Sequence, residues 1–273
     1  MHLPGGHRCA LALSRADSAA VAADLPDLKM NYASRRIWII GASAGIGAAL
    51  ARALAGQGAQ LILSARDGDA LEALAAECGG AQARPLDLAQ PETLGAVVAQ
   101  LTLEAPLDAI ICTAALYDPG RVADIDPMRA EAMVRVNILG MLEVARLCPP
   151  LLRDGGQLVL FGSVAGYIGL PGGQPYSATK AAVNNLAETL AIELAPRVDV
   201  RLVCPGFVQT RLTARNTFAM PAIITAEQAA ESVLRGMQRR GFEIHFPRRF
   251  TLAMKLIRAL PYALSLRLIR RLR

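Results

Sequence analysis

Tyr176 and Lys180, in the stretch YSATK, stand four residues apart and lead into a helix-forming run, AAVNNLAETLAIELA. A helix carries residues i and i+4 on one face, so a phenol and an ammonium would lie side by side. That pairing suits proton chemistry. A free phenol has a pKa of about 10, high for proton traffic near neutral pH. An ammonium beside it favours the phenolate and lowers that value. An isolated Tyr–Lys pair at this spacing is more often a surface pair on an amphipathic helix, so the rest of the chain must decide.

A second candidate is GASAGIG, residues 41–47, between an apolar run and a helix-like segment. Gly41 would permit a tight turn, Gly45 would let the backbone approach a pyrophosphate, and Gly47 would let helix and strand pack closely. The helix N-terminus would offer unpaired N–H groups and a positive dipole end to phosphates. The next apolar run ends in SAR, with no carboxylate to hold the ribose hydroxyls of NAD. Arg66 there suits a 2′-phosphate through paired hydrogen bonds. This favours NADP(H), with NAD(H) as the alternative. A solvated surface arginine is the plainer reading of Arg66.

The elements that must position these residues follow from periodicity. Apolar runs at 36–40, 60–64, about 82–86, 107–113, 157–163, 199–205 and 242–246 read as strands. Segments at 45–57, 68–78, 91–103, 127–153, 175–195 and 225–239 read as helices. Continuous apolar strands alternating with helices imply a parallel sheet covered on both faces, with right-handed crossovers. The expected fold class is α/β, a single doubly wound domain of about seven strands over 34–247. It is flanked by residues 1–33 and by a basic amphipathic tail at 248–273.

With the glycine turn, YSATK, Ser163 and Asn137 together, the chain resembles the short-chain dehydrogenase/reductase family over about residues 34–247. The family's T-G-x-x-x-G-x-G is matched by IGASAGIG and its Y-x-x-x-K by Tyr176 and Lys180. Its active-site serine matches Ser163 in FGSVAG, and its asparagine matches Asn137 in VRVNILG. Two places depart from the pattern: Ile40 replaces the threonine before the first glycine, and CTAA (112–115) replaces N-N-A-G.

The resemblance implies a Rossmann fold and hydride transfer between a nicotinamide and a carbonyl or alcohol carbon. Tyr176 would be the proton donor, Ser163 would polarise the carbonyl, and Lys180 would also hold the nicotinamide ribose. Asn137 would hold a relay water through a local helix irregularity. Cofactor contacts are implied at Gly41, Ser43, Gly45, Ile46 and Gly47, at Arg66, and at Asp87 and Leu88. They are also implied at Tyr176, Lys180, Pro205, Gly206, Val208 and Thr210. As plainer readings, Ser163 forms a strand-end turn, Asn137 is a buried helix amide, and Asp87 and Thr210 are helix N-caps. The resemblance further implies a homodimer or homotetramer through the helices near 137–153 and 175–195.

Composition limits the rest. The 273 residues are 53% hydrophobic and 19% charged, enough for a packed core. The net charge is +6, yet residues 248–273 hold eight basic residues and no acid, which leaves the remainder at −2. Nucleic acid is therefore not an expected partner of the body. Five cysteines with no C-x-x-C pair argue against a disulfide framework and fit a reducing, cytoplasmic setting. Three histidines, His2, His7 and His245, give little basis for a metal site or a histidine triad. Residues 1–29 lack periodicity and precede a second methionine, Met30, so they read as a disordered extension or a misplaced start.

The segment 207–224, with only Arg211 and Arg215 charged, would form the substrate loop and leans toward an apolar or lipid-like small molecule. Pro261 divides the tail into two short amphipathic pieces. They would either lie on an anionic membrane, at its inner surface, or pack on the body. Two other functions share the fold-level evidence: an epimerase or dehydratase that keeps tyrosine and lysine, and a dinucleotide-binding scaffold without catalysis.

Overall fold

Seven parallel strands form one sheet in the order β3-β2-β1-β4-β5-β6-β7. They are β1 (Arg36–Ile40), β2 (Gln60–Ser64), β3 (Gln82–Ala83), β4 (Leu107–Cys112), β5 (Leu152–Phe161), β6 (Val198–Pro205) and β7 (Glu243–Phe246). The crossovers carry α1 (Gly45–Ala55), α2 (Gly68–Glu77), α3 (Pro91–Thr102), α4 (Pro127–Val134), α5 (Gly140–Leu147), α6 (Tyr176–Glu193) and α7 (Ala226–Met237). After β7 come α8 (Arg248–Ala259) and α9 (Tyr262–Arg270). The computed structural model describes residues 32–216 and 220–271, the Arg215 side chain excepted. The extension or misplaced start expected at 1–29 lies outside the described residues.

The strands are buried on both faces, as their continuous apolar runs require. Trp38, Ile40, Ile110, Leu158 and Leu160 sit in one core with almost no exposure. Trp38 satisfies its indole by donating to Ser64 Oγ at 2.9 Å. Strand order reverses between β1 and β4, and in such sheets ligands bind outside the carboxyl ends of the strands at that point. The glycine turn, Arg66, Ser163 and Gly206 all follow carboxyl ends of strands.

Three expectations need correction. The helix expected over 127–153 is broken. A π-helical turn, Arg135–Leu139, separates α4 from α5, and Pro149–Leu151 is a 3-10 turn. Pro149 and Pro150 cannot continue an α-helix, and β5 then begins at Leu152, well before residue 157. Leu152 pairs with Leu107, and the register shifts before Ala109 meets Gln157. Second, β3 is only Gln82–Ala83, because Pro85 cannot donate to a ladder.

Third, packing starts ahead of residue 34: Tyr32 is buried and donates to the Leu234 carbonyl at 3.2 Å. Of the tail, the inner face packs on the body, one of the two arrangements expected of it. Pro261 does divide the tail into two helices, and Met254 and Ile269 are buried against Ile168. Lys255 pairs with Glu243 of β7, and Glu243 also accepts from the Tyr167 hydroxyl.

Candidate active site

The glycine turn closes as the sequence requires. Gly41 has φ +91°, and a Cβ there would stand 2.6 Å from the Ala114 nitrogen. At Gly47 a Cβ would stand 2.2 Å from the Gly41 carbonyl oxygen, so only glycine lets α1 start against β1. Thr113 donates from Oγ1 to the Gly41 carbonyl at 3.0 Å. It thus braces the turn from CTAA, which had read as a departure from the family pattern. Ile40, the other departure, is a fully buried core residue.

Side-chain N-caps are present on some helices and absent from others, α1, α3 and α6 among them. Asp67 caps α2, Asp126 caps α4, and Thr225 with Gln228 forms a capping box on α7. Ala44 gives α1 no side-chain cap. The first N–H groups of an 11-residue helix are therefore open beside a glycine turn, a fit for a dinucleotide pyrophosphate. Ser43, Gly45 and Ile46 are partly exposed there. The Thr210 methyl is 3.1 Å from where a Cβ on Gly45 would sit, so the loop after β6 meets the glycine turn.

Arg66 is exposed past the end of β2 and makes no ion pair among the described residues. Asp87 does not cap α3, whose N-cap is Gln90. Its Oδ1 accepts from Ala89 N at 2.9 Å in a local turn. Leu88 is buried against Gly140, so only its main chain could face a ligand. Pro205 and Val208 are buried, and the Gly206 amide donates to the Phe246 carbonyl at 2.7 Å. Thr210 Oγ1 accepts a long bond, 3.4 Å, from Thr213 N at the 3-10 turn Thr213–Arg215, so its capping role is weak.

Tyr176 opens α6, and Lys180 lies one turn on, buried to 2% exposure. Lys180 Nζ donates to the Phe161 carbonyl at 2.7 Å and lies 5.7 Å from the Tyr176 ring centre. Ser163 follows β5 and accepts from Ala165 N at 3.1 Å, so it does shape the strand-end turn. Its hydroxyl also acts on the Tyr176 phenol, favouring the charged form. Asn137, on the π-helical turn, is 1% exposed. Its Oδ1 accepts from Leu116 N at 2.7 Å, and its Nδ2 donates to Leu116 O at 2.9 Å and Thr179 Oγ1 at 3.0 Å. The irregular helix is present, and the amide is a clamp between the loop after β4 and α6.

Electrostatics departs from the sequence expectation. Burial raises the Tyr176 phenol, Tyr117 adds to the rise, and the Ser163 hydroxyl opposes it. Burial lowers Lys180 to about 8, partly offset by Cys112 and Cys204. The lysine does not bring the phenol down in this geometry, because its ammonium is turned to the Phe161 carbonyl. The phenol is therefore protonated at neutral pH, the form that donates.

Tyr117 was not foreseen. Its ring meets that of Tyr176 edge-on at 4.7 Å, and its hydroxyl donates to Asn216 Oδ1 at 2.7 Å. No spacing rule marks it; its position just past β4 is the only sequence signal.

Residues 35–220 match the family model described as short chain dehydrogenase. An uncharacterized oxidoreductase of Myxococcus xanthus is 31% identical over 254 residues, spanning 90% of this chain and 99% of that protein. A short chain dehydrogenase of Burkholderia cenocepacia, solved with NADP, has a TM-score of 0.77 and 27% identity, and the match covers 88% of this chain and 99% of that one. One from Sphingobium yanoikuyae, solved with NADPH, has a TM-score of 0.71 and 29% identity over 84% of this chain and 97% of that one. The chain belongs to the short chain dehydrogenase family.

Proposed function

We propose that the protein is an NADP(H)-dependent oxidoreductase that interconverts a carbonyl and an alcohol on an apolar small molecule. The observation that carries this reading is the meeting of Tyr176, Ser163 and Lys180 at the carboxyl edge of the sheet that bears the open α1 N-terminus. The NADP and NADPH found in the Burkholderia and Sphingobium relatives support the choice of cofactor. So does Arg66, an exposed cation where a 2′-phosphate partner is needed. NAD(H) is the weaker alternative.

The bound nicotinamide would supply the hydride. Gly41, Ser43, Gly45, Ile46 and Gly47 would hold the pyrophosphate against α1, Asp87 and the Leu88 main chain would border the adenine, and Pro205, Gly206, Val208 and Thr210 would border the nicotinamide. Tyr176 would give its phenolic proton to the carbonyl oxygen, and Ser163 would polarise that oxygen. The raised phenol pKa keeps the proton available, and Lys180, which donates to the Phe161 carbonyl beside it, would hold the nicotinamide ribose hydroxyls. Both Asn137 amide hydrogens are engaged and its Oδ1 accepts from Leu116 N, so a relay water there would bond to the main chain of the π-helical turn.

Exposed Val134, Leu139 and Leu142 near the π-helical turn, with Ile192 on α6, support a homodimer or homotetramer. The four described cysteines are free and buried, which fits a reducing, cytoplasmic compartment. Peripheral contact of the tail with a membrane is a separate proposal, independent of the oxidoreductase reading. Incubation with NADPH and a panel of apolar ketones and aldehydes tests that reading. Alcohol should appear in one-to-one ratio with NADPH consumed; product without net NADPH loss would indicate an epimerase or dehydratase instead.

A further inference from the structure

The tail has two surfaces. The inner one packs on the body through Thr251, Met254, Ser265 and Ile269. The outer one leaves Leu252, Leu256, Tyr262, Leu264, Leu266 and Leu268 exposed, Leu256 at 66%. Arg248, Arg249, Arg258, Arg267, Arg270 and Arg271 are exposed among them, and none makes an ion pair among the described residues. Arg248, Leu252 and Leu256 follow one another at i, i+4 spacing and share a face of α8. Leu264 and Leu268 do the same on α9, and Arg267 and Arg271 stand three residues on from each of them, on the adjoining part of that face.

We propose that this surface docks on an anionic lipid bilayer, with the leucines in the headgroup boundary and the arginines on lipid phosphates. The residues 248–273 contain no acid, so the patch is complementary to a negative surface. A second copy is a poor occupant. An isologous contact would bring the same arginines against one another with no carboxylate between them. The helices lie on the bilayer rather than cross it: they have 12 and 9 residues, against about 20 for a span.

The docking face is built onto the candidate site. Phe250 packs on Phe207, with ring centres 5.8 Å apart, and touches Gly206 beside the proposed nicotinamide position. Met254 and Ile269 pack on Ile168, in the segment after Ser163. Tyr167 in that segment and Lys255 of α8 share Glu243. Docking would therefore set the loops that border Tyr176 near the lipid, a short path for an apolar carbonyl compound. That last consequence rests on the oxidoreductase reading; the docking itself does not.

The test is flotation of the full-length protein with vesicles of phosphatidylcholine alone or of phosphatidylcholine mixed with phosphatidylglycerol. The protein should float with the mixed vesicles, not with phosphatidylcholine, and high salt should release it. Replacing Arg249, Arg267, Arg270 and Arg271 by Gln should weaken partition about fivefold per residue. Leu252→Ser with Leu256→Ser should weaken it too, and both variants should keep their thermal midpoint and NADPH binding. Absence of flotation, equal flotation on both lipids, or indifference to the arginine changes would overturn the proposal. So would a tail-dependent dimer without vesicle binding. Vesicle binding without any carbonyl reduction would overturn the enzyme reading and leave the docking standing.

Discussion

The Tyr117 ring meets the Tyr176 ring edge-on, with centroids 4.7 Å apart and planes at 78°. Such a contact is worth about 0.5–1.5 kcal/mol beyond burial, enough to hold one ring orientation. Tyr117→Ala should therefore lower kcat about two- to tenfold for any carbonyl substrate. Tyr117→Phe keeps the ring and loses only the bond to Asn216, so its kcat should stay near wild type. Steady-state kinetics on both variants checks this; an equal loss in both would assign the effect to the hydroxyl.

Lys180 gives a pH dependence whose sign is fixed. Burial lowers it from its ordinary 10.5 to about 8, so it is charged below that pH and neutral above. A neutral amine would hold the nicotinamide ribose less strongly, and kcat/KM for reduction should fall as pH rises through about 8. Lys180→Arg holds its charge at all working pH and should remove that limb, whatever it does to the maximum rate. Stability moves the other way. A lysine with a lowered folded pKa opposes folding below about 8, and that penalty is relieved as pH climbs toward the unfolded value of about 10.4.

Arg66→Ala should weaken NADPH far more than NADH. A charge-assisted bond to a 2′-phosphate contributes roughly 1.5–3 kcal/mol, about ten- to a hundredfold in affinity. Titration of each cofactor by fluorescence or calorimetry reads the two constants directly. Equal weakening would make Arg66 a bystander.

Leu139 and Leu142 are exposed at 51% and 45%, beside the buried Asn137. Light scattering at micromolar protein should report a dimer or tetramer. Leu139→Glu with Leu142→Glu should shift it toward monomer, since each charge would have to be buried in an apolar contact. A wild-type monomer would contradict the oligomer.

Much of this was legible because backbone physics leaves few choices. Gly41 and Gly47 had to be glycine for α1 to start against β1, and the apolar runs at 36–40 and 60–64 matched their strands residue for residue. The sheet followed from them, and the grouping of Ser163 with Tyr176 and Lys180 from the resemblance to the short-chain dehydrogenase/reductase family. Periodicity could not locate the breaks at Arg135 and Pro149, because apolar spacing runs on through a π-helical turn. Tyr117 escaped because its partner is 59 positions away in sequence and its contact is tertiary. The Lys180–Phe161 bond escaped for the same reason, and with it the direction of the Tyr176 shift. Charge and spacing left open whether the tail lies on a membrane or packs on the body; Thr251, Met254 and Ile269 bury into the body, so truncation after Phe250 removes packing as well as charge.

The most direct test of the whole account is NADPH oxidation, followed by absorbance with a reducible carbonyl compound, in wild type and in Tyr176→Phe. The variant keeps the ring against Tyr117 and removes only the phenolic proton donor. Wild type should turn over, and Tyr176→Phe should lose about 10²–10⁴-fold in kcat while binding NADPH with unchanged affinity. Turnover by Tyr176→Phe above about a tenth of wild type would contradict the role of Tyr176 and the mechanism built on it.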